Sequence, residues 1–113
     1  MPSGLKTGPL VVAAQRLRIE GLRRIDAALG KREPCDLRGF VDALGALLVL
    51  DVNAASIARR AGIATATVTR WSQGFHAPHH LVIPTVVEAM RGVIADEIVM
   101  ARAYVPTSSL AAA

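Results

Sequence analysis

Leu10, Ala14, Leu17, Leu22, Ile25 and Leu29 recur about one helical turn apart, with Arg16, Arg23 and Arg24 largely off that stripe, which predicts a helix from Leu10 to about Leu29. Gly30 and Pro34 supply the stop. Asp36 is placed to cap a second helix, in which Leu37, Phe40, Val41, Leu44, Leu47 and Leu48 build a wide apolar face ending near Leu50. Asn53 is the next cap candidate, followed by a short helix that turns Ile57, Ala58 and Ala61 inward and ends at Gly62. Another short helix is expected from about Thr65 to Gln73, with Val68 and Trp71 inward. After a turn-rich connection containing Pro78, a last helix is expected from near Pro84 to about Tyr104, through Val86, Val87, Met90, Val93, Ile94, Glu97 and Val99. No segment alternates like a strand and nothing repeats. The expected class is all-α: a small helical bundle with an additional N-terminal helix. Residues 1–9 read as a flexible N-terminus, 10–34 as a basic amphipathic helix and linker, 35–105 as the main helical domain and 106–113 as a flexible tail.

Composition sharpens this picture. The 113 residues are 52% hydrophobic and 19% charged, enough for one core and too apolar for a disordered chain. The apolar excess leaves material for a subunit interface. Net charge is +4, and residues 1–34 carry all of it, with seven basic and three acidic side chains. A basic amphipathic helix suits a DNA backbone, a membrane surface or a partner helix, and also suits a plain solvated face. Cys35 is the only cysteine, which rules out an internal disulfide and a multi-cysteine zinc site and fits a reducing compartment. No apolar run reaches the roughly 18–20 residues of a membrane span, and the start lacks a signal-peptide pattern. The expected location is cytoplasmic, at the nucleoid.

The stretch from about Asn53 to Gly74 carries the chemistry. Ala58 and Ala61 let a second helix approach closely, Gly62 permits the turn between the helices, Ile63 plugs the space between them, and Val68 and Trp71 anchor the second helix. Thr65, Ala66, Thr69 and Arg70 are left outside. No acidic residue occurs between Val52 and Val87, which suits a surface that approaches phosphates.

This stretch resembles the helix-turn-helix of the Cro and phage-repressor (XRE-like) DNA-binding family. The likeness rests on Ala58, Ala61, Gly62, Ile63, Thr67, Val68, Arg70, Trp71 and Gly74. It implies a lambda-repressor-like helix-turn-helix domain within 35–105 that reads double-stranded DNA in the major groove. The family often places Ser or Thr where Ala64 stands, so Thr65 is the alternative cap and the helix register is open by one residue. By this resemblance Thr65, Ala66 and Arg70 are expected at base edges. Asn53, Ala54, Thr67, Thr69, Arg59, Arg60 and His76 are expected at phosphates.

His76, His79 and His80 fall within five positions, but no carboxylate or Cys sits at a fitting spacing, so no metal is expected. No cofactor is expected either, and no nucleophile–base set or Gly-rich phosphate loop suggests an enzyme. The leading expectation is a sequence-specific transcriptional regulator acting as a homodimer on an inverted repeat. The alternatives are an antitoxin-type interaction module that autoregulates its operon, with the N-terminal helix holding a protein partner, and a phage or plasmid DNA-packaging or replication accessory. Of the two helices with apolar surface to spare, the C-terminal one is the favoured dimer surface.

Overall fold

The computed structural model of the chain describes residues 8–31 and 36–104. The greater part of the expected flexible N-terminus, the end of the linker with Cys35, and the expected tail lie outside the described residues. Five helices follow one another: α1 (Pro9–Lys31), α2 (Leu37–Val49), α3 (Ala54–Ala61), α4 (Thr65–Ser72) and α5 (Ile83–Arg102), with no strand among the described residues. The all-α expectation holds.

α1 and α5 run antiparallel. Asp26 of α1 pairs with Arg91 (2.9 Å), Arg18 pairs with Glu97 (3.3 Å), and Ile19 packs with Ala101. α2 lies against α1, α3 against α5, and α4 against α3 and α2. The core between them holds Phe40, Leu44 and Leu47 of α2, Ile57 of α3, Val68 and Trp71 of α4, and Val86, Met90 and Ile94 of α5. Each such side chain, fully buried, stabilises the fold by about 1.5–3 kcal/mol before entropy is counted. Leu22 and Leu29 of α1 belong to the same core, so α1 is an integral wall of the bundle rather than an appended arm.

Two expectations change here. The inward face of α1 is not the Leu10–Leu17 line. Leu10, Ala14 and Leu17 are exposed, and Ile19, Leu22 and Leu29 are buried, with Val12 and Ile25 packed at their edges. In a helix start this rich in Leu, Val and Ala several faces are apolar, and the partner helix α5 selects one. The second change concerns α5. Its broad apolar surface is used within the chain, because α1 covers one side and α3 another. Val86, Met90, Val93 and Ile94 are buried, Val87 and Ile98 half-buried, and of the expected interface residues only Val99 is exposed. The reason given for placing a dimer contact on that helix therefore disappears.

The end of α2 shows how the bundle is locked. Asp51 takes the left-handed conformation (φ 64°), Val52 N–H donates to Leu47 C=O (3.0 Å) and Asp51 N–H to Leu48 C=O (3.1 Å). This is the paired-bond turn that usually has Gly at the left-handed position. The Leu50 carbonyl, left over at the helix end, accepts from Arg18 Nε at 2.9 Å. Arg18 thus ties α1 to α2 and, through Glu97, to α5.

Candidate functional site

The segment singled out by sequence folds as two eight-residue helices joined through residues 62–64. α3 starts at Asn53, whose Oδ1 accepts from Ala55 N–H at 2.8 Å. It ends on Gly62 (φ 74°), with Ile63 N–H donating to Ala58 C=O at 2.9 Å and Gly62 N–H to Arg59 C=O at 3.3 Å. A residue with a Cβ is strained at that φ. Ile63 follows the glycine and packs half-buried on the core, the apolar contact that commonly completes this turn.

α4 begins with Thr65. Ala64 occupies the cap position without a side-chain hydrogen bond, which settles the register left open above: Thr65 is the first helical residue and not the cap. Thr69 Oγ1 donates to Thr65 C=O (3.2 Å), and Ser72 Oγ donates to Thr69 C=O (2.7 Å). Val68 and Trp71 are buried, and the Trp71 ring meets Phe40 edge-on with centroids 5.7 Å apart. The helix closes on Gly74 (φ 78°), with Phe75 N–H bonded to Arg70 C=O at 3.1 Å. Both helices of the pair therefore end in the same glycine turn.

Anchored from beneath, α4 turns Thr65, Ala66 and Arg70 to solvent, with Thr69 half-exposed beside them. Gln73 is exposed on the same side, one turn beyond Thr69 and Arg70. It was not singled out from the sequence, where its spacing from Ala66 and Thr69 was the available signal. Thr67 is half-buried on the flank of the helix. Ala58 is buried and Ala61 half-buried, so Ala61 sits at the rim of the α3–α4 contact.

The two arginines of α3 separate. Arg59 is exposed and makes no ion pair among the described residues. Arg60 pairs with Asp96 of α5 at 2.6 Å, its guanidinium lying across Gly92 where a Cβ would collide with it. The side chain expected at a phosphate thus faces α5 and is paired there. His76 is exposed in the loop after α4; His79 and His80 stack (4.3 Å between centroids), and Leu81 N–H donates to His79 Nδ1 at 3.2 Å. Among the described residues no three His, Cys, Asp or Glu side chains gather in a metal-binding group, and no helix is long and apolar enough to cross a membrane.

No known protein family, curated protein or solved structure matches the chain.

Proposed function

We propose that this chain is a sequence-specific DNA-binding regulator that enters the major groove with α4 and acts as a homodimer at the nucleoid. The observation that carries the reading is the outer face of α4: short polar and methyl groups with one arginine, on a helix braced by Trp71 and Val68, within a segment that has no acidic residue from Val52 to Val87. A fixed helix spends little entropy on presenting its side chains, and the absence of carboxylates removes repulsion from phosphates. On this reading Arg70 donates a pair of hydrogen bonds to guanine, Ala66 packs on a thymine methyl and Gln73 bonds adenine, with Thr65 at the leading end of the helix. The start of α3 at Asn53 and Ala54, together with Arg59, Thr69 and His76, faces the sugar–phosphate backbone. One such helix covers too few base pairs for selectivity against a genome, whereas two copies about 34 Å apart read an inverted repeat.

Selection of bound duplexes from a random pool, followed by titration of the selected site, tests the proposal. A palindromic site is expected, and Arg70→Ala is expected to weaken binding to it by about 1–3 kcal/mol and relax preference at one base pair. Failure to enrich any sequence, or an Arg70→Ala variant that binds the selected site as tightly as wild type, refutes it.

A further inference from the structure

α1 has 23 residues and α2 has 13, about 34 Å against 20 Å of helix. One row of α1 residues, Leu10, Ala14, Leu17, Gly21, Arg24 and Ala28, runs along the side that meets α2. The later half of the row borders α2, with Gly21 half-buried and Arg24 and Ala28 exposed at its edge. A Cβ on Gly21 would sit 3.0 Å from Leu50 Cδ1, and Arg24 and Ala28 border the groove formed with Gly39, Asp42 and Ala46 of α2. α2 stops where Arg18 binds the Leu50 carbonyl, and the earlier half of the row continues past it, with Leu10, Ala14 and Leu17 exposed. Leu10 is 86% exposed and Leu17 69%.

We propose that a second copy of this chain covers this face, α1 packing antiparallel on α1, with Leu10 of each copy against Leu17 of the other and the two Ala14 side chains near the two-fold axis. The row is self-complementary about its middle, as a two-fold contact requires. Ala13 and Ala14 carry only methyl groups, so the helix axes can approach to the short end of the usual ~8–10 Å. Charge selects the direction. From Pro9 to Leu17 only Arg16 is charged, while residues 18–31 hold four basic side chains (Arg18, Arg23, Arg24, Lys31) and two acidic ones (Glu20, Asp26), a net +2. Antiparallel packing sends those basic halves to opposite ends of the pair, whereas parallel packing sets them side by side. Residues 1–7 and 105–113 bring only Met1, Leu5, Val105 and Leu110 as large apolar side chains, a poor match to a leucine–alanine–leucine row. The contact spans only about two turns of each helix, which places it among small interfaces and makes a weak, concentration-dependent dimer the expectation.

This inference shares the homodimer with the proposed function and uses none of its DNA contacts, so the test is run without DNA and either can fail alone. Sedimentation of the full chain from low to high micromolar concentration is expected to show a monomer–dimer equilibrium. Leu10→Glu/Leu17→Glu is expected to sediment as a monomer while keeping the melting temperature that the wild type has at low concentration, where it too is monomeric, since both positions are exposed within one chain. Ala14→Cys in a Cys35→Ser background is expected to form an interchain disulfide under mild oxidation. Deletion of 106–113 should leave the dimer unchanged. A wild type that stays monomeric, a double Glu variant that still dimerises, an Ala14→Cys chain that does not crosslink, or dimerisation that appears only after the deletion would overturn the proposal.

Discussion

Gly92 sits inside α5, where alanine is favoured over glycine by about 0.8–1.0 kcal/mol in an open helix. The site is not open, because the Arg60 guanidinium lies over it on the way to Asp96. Gly92→Ala must therefore push that guanidinium aside. The displaced atoms are the far end of a flexible chain with room to swing outward, so the backbone need not move. What is lost is an ion pair whose side chains are 48% and 67% exposed, and pairs this exposed contribute about 0–1 kcal/mol. The gain and the loss are similar, and the expected net effect is a stabilisation of about 0–1 kcal/mol, no more than a few degrees in melting temperature. Thermal and urea unfolding measure it. A double-mutant cycle isolates the mechanism: Asp96→Asn is expected to cost a few tenths of a kcal/mol in the wild type and nothing in the Gly92→Ala background. A Gly92→Ala variant destabilised by more than about 1 kcal/mol would refute the reasoning, since it would mean that Arg60 has nowhere to go and that Gly92 is there for close packing of α3 on α5.

Three further outcomes follow from the same contacts. Trp71→Ala removes a side chain that is 6% exposed and edge-on to Phe40, and is expected to cost about 3–5 kcal/mol in urea unfolding; a variant that melts like wild type would show that the ring is not part of the core. Asp51→Gly relieves a left-handed residue and is expected to raise stability by about 0.5–1 kcal/mol, with loss of stability pointing instead to a bond made by the Asp51 carboxylate. On DNA, Arg59→Ala is expected to lower the salt slope of binding by about one unit and Arg60→Ala to leave it unchanged, because only Arg59 is free of an ion pair among the described residues; equal slopes for the two variants contradict the division.

Local signals made much of this legible in the sequence. α2 is a single clean apolar stripe with an Asp cap, and the pair α3–α4 is punctuated by Asn53, Gly62 and Gly74, each of which acts within a few residues of itself. The outward positions Thr65, Ala66 and Arg70 followed from where Val68 and Trp71 had to go. What failed were decisions made at a distance. Whether Leu17 or Ile19 faces inward depends on α5, far along the chain, and a helix start rich in Leu, Val and Ala offers several acceptable faces. Arg18 and Glu97 are 79 positions apart and Arg60 and Asp96 are 36, so their pairing leaves no periodic trace. For the same reason the pairing of Arg60 with Asp96 was not legible, and the apolar surplus of α5 read as an interface. Asp51 was overlooked as a helix stop because a left-handed aspartate is rarer than the glycines that end α3 and α4.

The antiparallel seat of α1 on α5 also sets an order of events during synthesis. α1 leaves the ribosome early, yet the residues that cover Ile19 and meet Arg18 arrive only with Ala101 and Glu97. Through the translation of α2, α3 and α4 the nascent chain carries a helix whose inward face is bare around Ile19, a state that contact between distant segments must wait to resolve. A product cut short before Ile83 never closes that face and is a natural target for chaperones and proteases. The short α3–α4 unit can form its turns early, but its firm placement on the bundle comes last, when α5 packs on α3.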